Sequence, residues 1–278
     1  MLKLAFAVVL VAAVAVAGVQ AMRAWQSTMG SFRPQGMKFA APSPLQGVEP
    51  LTLKSSLGLK VAASWVPPRN GVAIIVAHGM SSNRTQLWED ARVLTAAGFG
   101  VLLFDWPGMG ESEGQIVLGS HERAAFAACV DFLASRPEVQ RIGAYGFSHG
   151  AALLAAFVPD EPRVSSLLAV NPWSDALEHQ KFEYREWGPI RQWPATAAAR
   201  RMIEGGNLAP LAAAPRLKNR KSLFIASAED EAVPPQMSKD LAAAAGGELH
   251  LVPGASHFTF REKLGDWPAL LTGFFATG

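Results

Sequence analysis

The sequence predicts an α/β protein with a mostly parallel central sheet, helices on both faces of the sheet and a small helical cap. Short apolar, β-branched runs alternate with alanine-rich helical stretches, which is typical of consecutive strand–helix units. Residues 72–76 are apolar at every position, as expected of a strand covered on both faces. The chain has 278 residues, 50% of them hydrophobic, so it can bury the core of one large domain.

The predicted elements follow one another in a regular order. Strands are expected at residues 51–53, 59–65, 72–77, 101–104, 141–145, 165–170, 222–226 and 248–252. Helices are expected at residues 86–97, 121–134, 236–245 and 267–275. The first two strands form an opening pair, and we expect each of the last six to be buried on both faces.

Residues 1–22 are predicted to be a targeting segment outside the fold. An unbroken apolar run covers residues 4–19, Lys3 precedes it, and Gln20 is the only polar residue before Arg23. Small residues near positions 17 and 21 suit a signal peptidase, whereas residues 4–22 are also long enough to span hydrocarbon. A cleaved signal peptide and a retained membrane anchor both stay open, with a buried core helix as a third interpretation. Each of the first two predicts a cell-envelope protein, and the anchor predicts membrane association.

The rest of the chain divides into a linker and one catalytic domain. Residues 23–50 contain several prolines and glycines and are predicted to be a linker, with the catalytic domain at residues 51–278. Residues 173–217 interrupt the strand–helix rhythm with aromatic, charged and proline residues. We expect a helical cap that shapes a substrate pocket. An irregular crossover that only packs on the sheet is the alternative.

Composition and missing motifs exclude several classes of function. The net charge is +2 and the basic residues are scattered, which argues against nucleic acid as a partner. Cys129 is the only cysteine, so an intrachain disulfide cannot form, and its apolar helical setting predicts an inert core residue. No phosphate-binding lysine motif or paired-histidine zinc helix occurs, and the glycine-rich residues 108–114 lack dinucleotide-binding spacing. We therefore predict neither a cofactor nor a metal.

Residues 146–150 read Gly-Phe-Ser-His-Gly, a match to the G-x-S-x-G nucleophile motif. The match follows the predicted strand 141–145 and precedes an alanine- and leucine-rich stretch typical of a helix. A tight turn between strand and helix would lift the serine hydroxyl above the sheet, and the flanking glycines would avoid steric clashes there. The motif predicts Ser148 as a nucleophile.

Four motifs together resemble the α/β-hydrolase superfamily of serine hydrolases, from about Thr52 to the C-terminus. They are His-Gly-Met at residues 78–80, Asp-Trp-Pro-Gly-Met-Gly-Glu-Ser at residues 105–112, the serine motif, and the pair formed by Asp230 and Gly-Ala-Ser-His-Phe at residues 254–258. Their order matches the Ser, acid, His order of the family. Within it the chain is similar to the serine aminopeptidase-like and acylhydrolase-like lineage, some members of which carry an N-terminal membrane segment.

A serine hydroxyl needs a base that accepts its proton during attack. Of the six histidines, only His257 follows the last predicted strand into a loop, where this architecture places the base. Three neighbouring carboxylates follow the strand 222–226. Asp230 fits the family pattern in which two residues separate the aspartate from Val-Pro, and Glu229 and Glu231 are interpreted as solvated side chains.

The resemblance also implies an oxyanion hole formed by the backbone N–H groups of Met80 and His149. The loop reads His-Gly-Met, not the His-Gly-Gly-Gly of some lipases. Asp105 follows a different strand from the one expected for the acid. We interpret it as a structural residue that fixes the loop to Gly110.

These residues predict a serine hydrolase that cleaves a small-molecule ester, thioester or amide through an acyl-enzyme on Ser148, with a Ser-His-Asp triad. One alternative is an acyltransferase that passes the same acyl group to an alcohol or amine. Another is a non-catalytic binding protein, since fold alone does not prove activity.

Overall fold

The computed structural model describes residues 2–32 and 45–277. Its centre is an eight-stranded sheet of order β1-β2-β4-β3-β5-β6-β7-β8. The strands are β1 (Glu49–Lys54), β2 (Lys60–Val66), β3 (Val72–Ala77), β4 (Gly100–Phe104), β5 (Arg141–Phe147), β6 (Val164–Val170), β7 (Lys221–Ser227) and β8 (Glu248–Val252). The β1–β2 and β2–β4 pairs are antiparallel, and all the other pairs in the sheet are parallel.

Helices cover both faces of the sheet. In the described part of the chain the α-helices are α1 (Leu2–Ser31), α2 (Trp88–Ala96), α3 (Ser120–Ala134), α4 (His149–Phe157), α5 (Ala176–Glu183), α6 (Pro189–Met202), α7 (Pro210–Ala213), α8 (Pro235–Ala245), α9 (Phe260–Lys263) and α10 (Trp267–Ala276). Short 3₁₀ helices lie at Arg84–Leu87, Val158–Asp160, Arg185–Trp187, Glu204–Gly206 and Ala214–Leu217. The helices α5, α6 and α7 form the cap between β6 and β7. The predicted fold class is confirmed.

Strand β3 explains why the central strands are apolar at successive positions. Ala73 and Ile75 belong to one core layer, whereas Ile74 and Val76 belong to the other. Successive side chains of a strand point to opposite faces of a sheet, and both faces here are covered by helices. A continuous apolar run is therefore the sequence pattern of a central strand in this fold.

Strand β8 departs from the prediction of burial on both faces. Leu249 and Leu251 are 42% and 40% exposed, and only Val252 of this strand is buried. The strand lies at the end of the sheet beyond β7. Glu248 and His250 interrupt its apolar run, but the exposure of the two leucines follows from the edge position, where a strand has one strand neighbour and less helical cover.

The first helix continues well past residue 22, where the sequence analysis placed the start of the linker. Residues 6–16 are exposed, but Ala24, Thr28 and Phe32 are buried. Their spacing of four residues places them on one side of the helix axis, and α1 packs against α6 of the cap. Hydropathy marks the end of the apolar run, which is not the end of the helix. The central part of the predicted linker, residues 33–44, lies outside the described residues.

Candidate active site

Ser148 occupies the sharp turn between β5 and α4. Its backbone has φ 52° and ψ −118°, a region that costs a non-glycine residue about 1–3 kcal/mol. A Cβ on Gly146 would lie 2.6 Å from the backbone nitrogen of Ala151, and one on Gly150 would lie 2.4 Å from the carbonyl oxygen of Ala77. Close backbone approach therefore requires both glycines, and the turn presents the serine side chain at the end of the sheet.

The structure brings Ser148, His257 and Asp230 into one chain of hydrogen bonds. The Nε2 atom of His257 lies 3.0 Å from the Ser148 hydroxyl oxygen, and its Nδ1 atom lies 2.7 Å from Oδ2 of Asp230. Asp230 follows β7 and His257 follows β8. The carboxyl ends of parallel strands meet at the same edge of the sheet, where sites of open α/β sheets are found.

Backbone donors fix the Asp230 carboxylate in this position. Its Oδ1 atom accepts the N–H groups of Ala232 at 2.8 Å and Val233 at 2.7 Å. Of its neighbours, Glu229 is exposed, but Glu231 accepts the backbone N–H of His257 at 3.2 Å. Glu231 is also exposed, as expected of a solvated side chain, and the hydrogen bond gives it an additional contact with the His257 loop.

Asn171 supports the His257 loop and was not identified from the sequence. It is buried at the end of β6 with φ 50°. Its amide nitrogen lies 3.0 Å from both the hydroxyl of Ser227 and the carbonyl oxygen of His257, and its Oδ1 accepts the Ser227 N–H at 2.8 Å. The available signal was an asparagine directly after a strand, since asparagine tolerates positive φ better than most residues.

The loop that carries Met80 is held by two neighbouring side chains. The backbone N–H of Gly79 donates to Oε1 of Gln86 at 2.7 Å. His78 is buried and donates through Nδ1 to the Gly79 carbonyl at 2.7 Å, while its Nε2 accepts the Trp106 N–H at 3.1 Å. Burial lowers the pKa of His78 to about 4, so this imidazole is neutral at pH 7. Its two hydrogen bonds connect the Met80 loop to the start of the loop after β4.

Ser148 faces a cavity of about 150 Å³. Met80 and His149, whose N–H groups were expected to bind the oxyanion, line the same cavity. The wall is formed by the end of α1, the loop after β3, the serine turn and the cap, through Ser31, Phe32, Met80, Ser81, Leu118, Ser148, His149, Trp173, Ala176, His179, Gln180, Glu183 and Tyr184.

Two uncharged histidines next to Trp173 contribute to this wall. The Trp173 and His179 rings are stacked with centroids 6.2 Å apart, and the His149 ring lies 6.0 Å from Trp173. Burial lowers the pKa of His149 to about 3 and that of His179 to about 4. Within the described residues, His149 Nε2 and His179 Nδ1 have no hydrogen-bond partner. Both rings are therefore neutral at pH 7.

Asp105 and Cys129 have surroundings that suit structural roles. Asp105 accepts the backbone N–H groups of Arg84 at 2.7 Å and Glu111 at 2.9 Å, and a Cβ on Gly110 would overlap its carboxylate. Asp105 therefore holds the loop that follows β4 through its hydrogen bond with the N–H of Glu111, the residue after Gly110. Burial raises the pKa of the Cys129 thiol, which keeps it protonated and unreactive. Among the described residues, no group of three His, Cys, Asp or Glu side chains has a geometry suited to a metal ion.

Two family models match overlapping parts of the chain, which together span residues 72–275. The model for the alpha/beta hydrolase fold matches residues 72–191, and the model for serine hydrolases matches residues 146–275. The chain belongs to the α/β-hydrolase superfamily. It is accordingly an enzyme of the hydrolase class. This α/β-hydrolase is also 26% and 27% identical to two uncharacterised proteins of Mycobacterium tuberculosis over an alignment of 233 residues that covers 78% of this chain and 75% of each relative.

Solved structures share the fold. An esterase of Pyrococcus furiosus superposes with a TM-score of 0.73 at 18% identity, over 88% of this α/β-hydrolase and 97% of the esterase. A hypothetical protein of Pseudomonas aeruginosa superposes with a TM-score of 0.66 at 19% identity, over 85% and 95% of the two chains. At 18% and 19% identity, these similarities establish a shared fold alone.

Proposed function

We propose that this α/β-hydrolase cleaves an ester, thioester or amide through an acyl-enzyme on Ser148. The observation that supports the proposal is the unbroken path from the Ser148 hydroxyl through His257 to Asp230, with distances of 3.0 and 2.7 Å. A carboxylate can only accept, so in the neutral ring Nδ1 carries the proton and the lone pair of Nε2 points at the serine. This is the tautomer that a general base requires.

Each residue then has one role in the reaction. The Ser148 oxygen attacks the substrate carbonyl while His257 Nε2 takes its proton, and Asp230 stabilises the imidazolium. The N–H groups of Met80 and His149 bind the oxyanion, and the N-terminus of α4 adds its positive dipole. His257 then gives the proton to the leaving group, and it later activates the water that releases the acid.

Esters with a small acyl group suit the cavity best. A cavity of about 150 Å³ is of the size that holds a benzene molecule. Its lining is apolar at Phe32 and Leu118 and carries uncharged polar groups at His149, His179 and Gln180. The P. furiosus relative is described as an esterase, which agrees with this choice.

The N-terminal helix is proposed to be a retained membrane anchor of a cell-envelope protein. Its segment Phe6–Ser31 contains an 18-residue stretch with a mean hydropathy of 2.0 and is long enough to cross a bilayer. Burial on its docked side extends back to Ala21 and Ala17, which are half-buried. Cleavage after either residue would therefore cut within the docked part of the helix. On this basis we keep the anchor at residues 1–22 and the catalytic domain at residues 51–278.

Labelling and turnover test the proposal together. Wild-type protein should react with a fluorophosphonate probe and release p-nitrophenol from short-chain esters, and Ser148→Ala should lose both activities with an unchanged Tm. Ser135→Ala, an exposed serine at the end of α3, is the matched control. Retained labelling of Ser148→Ala would contradict the nucleophile. Product analysis with and without added alcohol separates hydrolysis from acyl transfer.

A further inference from the structure

The end of the N-terminal helix reaches the cavity in which Ser148 lies. Ser31, the last residue of α1, and Phe32 after it both line that cavity. Phe32 is only 4% exposed and belongs to the same core layer as Leu118 and Trp173. Residues that the sequence assigned to a linker therefore form part of the active-site wall.

A specific contact holds this end of α1 on the cap. The hydroxyl oxygens of Thr28 and Tyr184 lie 3.1 Å apart in a hydrogen bond, and the Thr28 oxygen lies 3.0 Å from the carbonyl oxygen of Ala24. Tyr184 packs on Trp187 with ring centroids 4.3 Å apart. The methyl side chains of Ala24 and Ala195 complete a small buried cluster here, and small residues let two helices approach closely.

Tyr184 connects the docked helix to the cavity, because it contacts α1 through Thr28 and also lines the cavity. The helix, the cap and the serine turn thus share one interior space. Membrane attachment alone does not require this arrangement. If the anchor were followed by a loose linker, the cavity would be closed by the cap or open to solvent. Neither the anchor nor the linker would then contribute a side chain to the cavity wall.

We propose that Phe32 and Ser31 are specificity-determining residues that limit the acyl group of the substrate. With both in place, the cavity of about 150 Å³ admits an acyl group of about six carbons, the size of the benzene that fills a comparable cavity. The helix that attaches the enzyme to the membrane is then also a wall of its substrate site. This inference rests on the proposed hydrolysis at Ser148.

Two substitutions that change the wall in opposite directions test the inference. Phe32→Ala enlarges the cavity and Ser31→Phe narrows it. Gln26→Ala and Ser27→Ala, on the exposed side of the same helix, are matched controls. The full-length protein is assayed in detergent micelles, with p-nitrophenyl esters from acetate to decanoate as substrates and kcat/KM measured for each.

We expect Phe32→Ala to raise the octanoate-to-butyrate ratio of kcat/KM by about tenfold or more, since one methylene in a pocket changes discrimination by about 10- to 200-fold. Ser31→Phe should lower the same ratio. The two controls should leave it within about twofold of wild type. A residue that only stabilises the fold would lower kcat/KM for all chain lengths alike.

Two outcomes separate the inference from the function on which it rests. Unchanged ratios in both wall variants, with Ser148 still labelled by the fluorophosphonate, would contradict the inference alone. Wild-type protein that is neither labelled nor active would contradict both. If Phe32→Ala does not fold, Phe32→Leu and Ser31→Phe provide the test. Phe32→Leu keeps an apolar side chain at position 32, and Ser31→Phe adds volume to the cavity wall.

Discussion

Arg261 donates to the buried carboxylate of Asp90 through Nε, at 3.0 Å from Oδ1, and through Nη2. Tyr145 and Trp267 also donate to this carboxylate, at 2.7 and 2.8 Å. The ion pair therefore joins α2, β5 and α10 to the segment that follows His257. It fixes the chain four residues after His257 to the core of the protein.

Asp90→Asn should lower the free energy of unfolding by about 3–5 kcal/mol, because removing one partner of a buried ion pair leaves the other charge uncompensated. Urea denaturation measures this change. Glu89→Gln, one residue earlier in α2 and paired with exposed Arg92, should change stability by less than about 1 kcal/mol. Equal effects of the two substitutions would contradict the role given to Asp90.

Asn171→Gly should lower kcat by about 10- to 100-fold while KM changes little, because the loop loses the donor that holds the His257 carbonyl. Glycine keeps the positive φ, so the effect isolates the amide. Asn171→Ala adds backbone strain of about 1–3 kcal/mol and should therefore have a lower Tm than the glycine variant. Wild-type kcat in Asn171→Gly would show that the loop needs no such support.

Substitutions of the three neighbouring carboxylates should lower kcat to clearly different extents. Asp230→Asn is expected to lower kcat by about 10² to 10⁴, with the serine-protease example as the upper bound. Glu229→Gln should change it by less than about tenfold because its side chain is solvated. Glu231→Gln should fall between them, since it loses the charge that accepts the His257 N–H. Measuring kcat on one ester for all three variants tests the order, and a near-wild-type Asp230→Asn would remove it from the triad.

Protonation of buried histidines should destabilise the fold at acidic pH. Burial lowers the pKa of His78 to about 4 and that of His149 to about 3, below the unfolded value of about 6.5. Below pH 6.5 the unfolded chain binds protons that the native state excludes, so stability falls as pH decreases toward these values. Each group contributes up to about 1.4 kcal/mol per pH unit.

Urea titrations between pH 7 and 4.5 test this dependence. His149→Leu should reduce the slope of unfolding free energy against pH by the contribution of one proton. His250→Gln, with an exposed side chain on β8, is the matched control. A slope unchanged in His149→Leu would mean that this ring titrates alike in the two states.

The sequence predicted the central sheet and the three residues that the structure brings together at its edge. Continuous apolar runs identify strands covered on both faces, and a glycine-flanked serine between a strand and a helix leaves few alternatives for the chain. The order of Ser148, Asp230 and His257 along the chain could therefore be read without knowledge of distances. The identity of the acid required the family pattern, because three carboxylates stand side by side.

What the sequence did not predict depends on contacts between distant segments. Asn171 and Glu231 support His257 through its main chain, and no spacing rule connects these positions. The position of Phe32 in the cavity wall depends on how α1 packs against the cap. The apolar run that precedes Phe32 does not indicate this packing. The exposure of Leu249 depends on where its strand lies in the sheet, which is a property of topology and not of local pattern.

If α1 is a membrane anchor, as proposed above, its continuity would hold the cavity at a fixed distance from the bilayer. From Met22, where the apolar run ends, to Ser31 the helix advances about 14 Å at 1.5 Å per residue. The polar layer on each side of a bilayer is about 5–8 Å thick. With the apolar run embedded as proposed, the cavity would lie just above the headgroups. The continuous helix would keep the catalytic domain from moving freely away from the membrane. On that proposal, the enzyme would favour substrates whose scissile bonds project to the same distance from the membrane.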